Sequence, residues 1–130
     1  MPCGPGRGRG GGGQRKMLFL QSCLLVLLHR GPGYGYSLMS DLREFGVATG
    51  QMDISILYRA LRDLEAADLV SSAWDEISLG PKRRVYTITP QGEARLGDWM
   101  QLLEARRRQI ETLEVAYAAV AHPPDRTKDT

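Results

Sequence analysis

Three features of this 130-residue chain predict a mainly α, α+β fold. Apolar residues recur at helical spacing in four segments. One pair of short strand-forming runs flanks Gly80-Pro81, a turn signal. The last helical segment is the longest, and its apolar residues stay three and four apart. The length suits one domain rather than two. The apolar fraction, 42%, is ordinary for a globular chain, so a core can form.

Residues 1–15 hold much of the glycine and almost nothing apolar. They bury too little to offset ordering entropy, so a disordered tail is expected. A first helix is predicted over residues 16–29, apolar almost all round as a central helix should be. Gly31-Pro32-Gly33 stops it. The basic start and the run from Met17 to Leu28 imitate a signal peptide. The run is too short to span a bilayer, and Gln21 and Ser22 interrupt it. It ends in His29-Arg30-Gly31-Pro32 rather than a small-residue cleavage site, so a buried helix is the reading adopted. A second helix is predicted over 36–45, with Leu38, Met39, Leu42 and Phe45 at helical spacing and Gly46 at its end. Residues 46–52 read as a loop.

The third helix starts at Asp53, whose carboxylate can cap free backbone N–H groups and suits the positive helix end. Ile54, Leu57, Tyr58, Leu61 and Leu64 form one stripe; Ser55, Arg59, Arg62 and Asp63 lie mostly on the other side. Residues 69–76 and 83–89 then read as strands joined through Gly80-Pro81-Lys82. A fourth helix opens at Pro90, with Thr89 as its N-cap. A capping box would need Glu or Gln at position 92, where Gly92 stands. The helix reaches about Val120 before Pro123-Pro124 and a polar tail.

A capped helix with one hydrophilic face, preceded by two helices and followed by a basic hairpin, outlines a winged helix-turn-helix. The expected organisation is a tail over 1–15, this domain over 16–89, a long helix over 90–121 and a second disordered tail over 122–130. An α-helix fits the major groove of B-DNA, where each base pair shows a distinct donor and acceptor pattern. The third helix offers Ser55 and Arg59 for base readout, since Arg can bind guanine through two hydrogen bonds. Arg62 is a candidate for DNA phosphate, or for pairing with neighbouring acids. The hairpin adds Lys82, Arg83 and Arg84. Strand alternation puts Arg83 with Val85 and Arg84 with Tyr86, so at least one Arg faces away from the core. Such a tip can touch the backbone or the narrow minor groove.

In the fourth helix Leu96, Trp99, Leu103, Ile110, Leu113, Tyr117 and Val120 alternate by three and four, broken by Arg106. A monomer of this size would expose part of that seam, so a second copy is the expected partner.

The net charge of +2 is small, and residues 1–16 carry Arg7, Arg9, Arg15 and Lys16 with no acid. Indiscriminate polyanion binding is therefore not expected, and nucleic-acid contact must come from local clusters. Cys3 and Cys23 make no disulfide framework, and a reducing cytoplasm is the simplest setting. His29 and His122 have no paired ligands, so no metal and no cofactor is expected. No serine sits in a nucleophile elbow and no glycine motif joins a strand to a helix, so no enzyme is expected.

Leu24-Leu25-Val26-Leu27-Leu28, Gly31-Pro32, Gly35-Tyr36, the run from Leu57 to Glu65, Leu69-Val70, the run from Gly80 to Thr89 and Gly92 together resemble the PadR family of bacterial transcriptional regulators. The resemblance covers about residues 17–105. It implies a winged helix-turn-helix, a C-terminal helix that builds a homodimer, and repression by operator binding, often relieved by a small effector. Beside the residues above, Tyr36 and Tyr58 are backbone-contact candidates. Where Ser55-Ile56 stand, the family pattern carries Gly-Thr or a similar small pair, and Ile56 cannot donate to a phosphate. The single C-terminal helix resembles the short branch of the family. Trp99 is placed to line an effector pocket or to anchor the dimer seam.

Two other readings remain open on sequence alone. The winged helix can be a protein-interaction module, or the Arg-Gly tail can make the chain an architectural DNA binder without sequence preference.

Overall fold

The computed structural model describes residues 4–47, 53–75, 80 and 82–122, with side chains from Lys16 onward. Its elements, in order, are α1 (Gly4–Arg30), β1 (Gly33–Tyr34), α2 (Gly35–Asp41), a 3-10 turn (Leu42–Phe45), α3 (Ile54–Ala66), β2 (Val70–Asp75), β3 (Arg83–Ile88) and α4 (Pro90–Ala121). The three strands form one antiparallel sheet in the order β1-β3-β2. This is the winged helix-turn-helix that the sequence predicts, with the long C-terminal helix present.

The chain divides into two compact units, Met1–Gly97 and Asp98–Thr130. The boundary falls inside α4 rather than at its start. The reason is local: the first turns of α4 belong to the core of the first unit, where Gly92 and Leu96 are buried.

That core is built mainly from leucine. Leu24, Leu25 and Leu28 of α1 are buried with Leu38, Leu42, Leu57, Leu61, Leu64 and Val70. Each contributes about 1.5–3 kcal/mol relative to an exposed position. α1 packs against α2, α3 and β3, as its nearly all-round apolar surface requires. Cys23 lies within this core as a free thiol, and burial pushes its pKa up to about 11. It therefore stays protonated and behaves as a small apolar group.

The structure departs from the sequence-based expectations in three places. Helix α1 begins at Gly4, so residues 4–15 are helical rather than part of a disordered tail. The extension adds turns to a helix already nucleated by its apolar half, against glycine's cost of about 1 kcal/mol per residue relative to alanine. The second helix stops at Asp41 and tightens into the 3-10 turn, ended by Gly46 at φ 78°. Finally, Gly33–Tyr34 form a third strand against Tyr86 and Val85. Two residues are too few to show a period. The expected loop over 46–52, the hairpin tip and the tail from 122 fall largely on residues outside those described.

Both expected helix caps are present. Asp53 Oδ1 accepts the N–H of Ser55 at 3.1 Å, and Thr89 Oγ1 accepts the N–H of Gly92 at 2.9 Å. Gly92 stands where a capping box would place Glu because there is no room for a side chain. A Cβ there would lie 2.1 Å from the carbonyl oxygen of Leu69. The C-terminus of α3 closes with Leu69 N–H on Leu64 O at 2.9 Å and Asp68 N–H on Glu65 O at 3.0 Å. Asp68 takes the left-handed conformation, φ 63°, that this closure needs and that glycine usually supplies.

The two helical glycines at the start of α4 give a paired test. Gly97 meets nothing within 4 Å of an added Cβ. Gly97→Ala is expected to raise unfolding free energy by about 0.5–1 kcal/mol, the helix-propensity difference. Gly92→Ala is expected to lower it by about 1–3 kcal/mol through overpacking. Denaturant titration of both variants checks the contrast, and equal effects would contradict the packing described.

Candidate nucleic-acid interface

The orientation of α3 follows from its sequence. Leu57, Ala60, Leu61 and Leu64 are buried, and the helix packs on α1, α2 and β2. Gln21 of α1 also donates to the Ala60 carbonyl at 3.4 Å. With that face fixed, residues four and three apart on the opposite side come into line: Ser55, Arg59 and Arg62 are all exposed. Among the described residues, no hydrogen bond or ion pair engages the side chain of Arg59 or Arg62. An arginine without an internal partner keeps all of its donors available to an external acceptor.

Beside this face lies an open groove between the start of α2, α3 and the hairpin. Four of its lining residues are cationic: Arg62, Lys82, Arg83 and Arg84. The aromatic side chains of Tyr34, Tyr36, Tyr58 and Trp74 also line it. Tyr36 is largely exposed. Tyr58 is half-buried, with its ring over Gly35; a Cβ on Gly35 would lie 2.1 Å from the Tyr58 hydroxyl. Glycine at 35 is thus what lets that phenol seat between α2 and α3. Ser37 fastens the turn before α2: its Oγ accepts the Tyr34 N–H at 3.1 Å and donates to the Tyr34 carbonyl at 2.8 Å.

The hairpin register separates the two arginines. β2 and β3 pair Ser72 with Tyr86, Trp74 with Arg84 and Asp75 with Arg83. Arg84 therefore shares a face with buried Tyr86, as alternation predicts. It is half-buried, donates from Nε to Ser72 Oγ at 2.8 Å, and lies 5.1 Å from the Trp74 ring. Ser72 in turn donates to Glu65 Oε2 of α3 at 2.8 Å. Arg83 is on the outer face, 4.0 Å from the Tyr34 ring and 3.7 Å from Asp75. Lys82 is exposed and, among the described residues, makes no ion pair. The three basic residues at the tip thus differ in freedom: Lys82 is open to solvent, Arg83 stacked and Arg84 tied down.

The structure brings Tyr36, Tyr58, Arg62, Lys82, Arg83 and Arg84 to one groove and sets Ser55 and Arg59 on the exposed face of the adjoining helix. Sequence reasoning missed Tyr34, Trp74, Ser72 and Glu65. Their roles depend on strand register and on which hairpin face meets α3, and neither is a local property of the chain.

The α4 residues are described separately. Leu96 is buried, Trp99 and Leu103 are half-buried, and Ile110, Leu113, Tyr117 and Val120 are exposed. Arg107 bridges Glu104 and Glu111, and Arg108 also bonds Glu104. The Arg107 guanidinium holds the Glu104 carboxyl below its usual range. No group of His, Cys, Asp or Glu among the described residues could hold a metal ion. No described helix is long and apolar enough to cross a membrane.

A leucine-seated helix with an arginine face, beside a cationic hairpin groove, defines a DNA-binding winged helix-turn-helix protein. The family model "Transcriptional regulator PadR-like family" matches residues 24–98, more than half of the chain, and the chain belongs to that family. It is a DNA-binding transcriptional regulator by class. Among solved structures it resembles a conserved protein described as a potential transcriptional factor. That likeness has 39% identity and a TM-score of 0.67, covering 79% of this chain and 90% of the other. It also resembles a PadR-like transcription factor from Bacteroides fragilis, at 27% identity and a TM-score of 0.67 over 80% of this chain and 98% of that one. An uncharacterised protein of Lysinibacillus sphaericus is 27% identical over 99 residues, which is 73% of this chain and 91% of that protein.

Proposed function

We propose that the chain is a homodimeric, sequence-specific repressor that acts in the cytoplasm. The observation that carries this reading is the outward face of α3, where the side chains of Ser55, Arg59 and Arg62 align without partners among the described residues while Leu57, Ala60, Leu61 and Leu64 on the opposite face are buried. Arg59 binds guanine O6 and N7 in the major groove, and Ser55 bonds a neighbouring base edge. Arg62, Lys82, Arg83, Tyr36 and Tyr58 contact the phosphate backbone, which sets register and supplies salt-dependent affinity. Arg84 contributes mainly by holding the hairpin to α3. Repression requires only that the bound protein occlude its site. The chemistry is recognition, with no catalytic step and no cofactor.

Exposure along α4 supports a dimer. Ile110, Leu113, Tyr117 and Val120 lie on one heptad seam and are exposed, Val120 to 76%. A contiguous apolar stripe in water favours association, and a second copy of the same helix supplies a matching one. Trp99 and Leu103, both half-buried, continue that seam in sequence, whereas Leu96, expected on it from spacing, is taken up by the core of the first unit. On DNA, the α3 helices of the two copies would enter successive major grooves, whose half-sites lie about 34–36 Å apart on the duplex. Trp99, half-buried on the seam, anchors that interface, and it is also the residue an effector that releases the operator would meet.

Arg59→Ala is expected to weaken specific binding by about 5–150-fold, the equivalent of one two-bond guanine contact, and to relax preference at one position. Lys82→Ala is expected to weaken all duplexes alike and lower the salt slope by about 1. Fluorescence anisotropy with selected and scrambled duplexes across a salt series measures both. Specific and nonspecific affinities both unchanged in Arg59→Ala would refute the base-reading assignment.

Leu113→Glu is expected to give monomers by sedimentation equilibrium while the far-ultraviolet circular dichroism keeps its helical form. A dimer that survives this substitution would refute the α4 seam.

A further inference from the structure

One residue on the α3 surface is left over by both the core and the polar face. Ile56 is 42% exposed in the first turn of the helix, next to Ser55 and three residues before Arg59. The core does not need it, because Leu57, Ala60, Leu61 and Leu64 already complete the buried stripe. Single exposed apolar residues are common on protein surfaces and ordinarily mean nothing. This one differs in position. The N-terminal residues of a recognition helix are those that reach base edges in helix-turn-helix proteins.

We propose that Ile56 is a specificity determinant that reads thymine by packing on its C5-methyl group. The proposal rests on α3 being the base-reading helix. The major groove presents one apolar feature, the thymine methyl; its other features are hydrogen-bond donors and acceptors. An isoleucine set against guanine, adenine or cytosine would strip water from a polar edge and return no hydrogen bond. Set against thymine, it removes a methyl group from water at no polar cost. The same residue cannot serve a phosphate, having neither donor nor charge. Positions 56 and 59 are about 4.5 Å apart along the helix axis, given a rise of about 1.5 Å per residue. That is comparable to one base step of about 3.4 Å. The thymine therefore lies next to, or one pair beyond, the guanine bound by Arg59.

The test uses the full chain and a duplex selected by it from a random pool. Each thymine of the selected site is replaced singly by deoxyuridine, which removes the methyl and keeps the base pairing. For the unaltered protein, one such replacement in each half-site is expected to weaken binding by about fourfold, the worth of one buried methyl-sized group. Ile56→Ala is expected to bind the thymine and uracil duplexes equally, and Ile56→Val to retain part of the difference. Binding of Ile56→Ala to scrambled duplex at low salt, unchanged from the parent, shows that the variant is folded. A selected site with no methyl-sensitive thymine overturns the proposal, as does a methyl effect that persists undiminished in Ile56→Ala. In both cases base reading by α3 stands if Arg59→Ala still relaxes the selected sequence. Failure of the unaltered chain to select any sequence overturns both.

Discussion

The arrangement depends on how α3 is seated. Leu57, Leu61 and Leu64 are almost completely buried, and rotating the helix about its axis would bring them to water. Exposing one buried leucine costs about 1.5–3 kcal/mol, and a rotation would expose several together. The leucine stripe therefore fixes the angle of the helix, and the exposed face is fixed with it. Among the described residues, no hydrogen bond or ion pair of their own side chains holds Ser55, Arg59 and Arg62 outward. They face outward because the opposite side of the helix is committed to the core.

A second constraint joins the hairpin to that helix. Glu65 of α3, Ser72 of β2 and Arg84 of β3 form a continuous hydrogen-bonded chain, with Trp74 beside the guanidinium. The hairpin is a small element and would be marginal alone. This chain and the seating of Tyr86 give it a defined position relative to α3. Lys82, which makes no ion pair among the described residues, is thereby carried at a set distance from the helix. One arginine of the basic run serves architecture while its neighbours remain closer to solvent. A count of positive charges would not separate these roles.

Much of this was legible in the sequence where the signal was local and periodic. The α3 stripe, its Asp53 cap, the Thr89 cap, the stop at Gly46 and the alternation of Arg83 and Arg84 all follow from spacing and side-chain chemistry. What was missed was long-range. β1 is two residues whose only evidence is their pairing with Tyr86 and Val85. The engagement of Arg84 depends on the register that sets Trp74 opposite it. By spacing alone Gly92 reads as a missing capping box, whereas the Leu69 carbonyl, distant in sequence, occupies the space a side chain there would need. The helical backbone over residues 4–15 runs against glycine's local preference, so composition pointed the other way.

The claim that α3 enters a major groove is tested most directly by chemical interference on a selected duplex. Methylating guanine N7 modifies the major groove alone and removes one of the two acceptors an arginine grips. Purified protein partitions such a duplex into bound and free pools, and the modified positions are then read in each. The account predicts interference at guanines in two clusters centred about 10 base pairs apart, matching two helices on successive turns. Free binding to duplex methylated at every guanine N7, with interference arising only from minor-groove adducts, would contradict it.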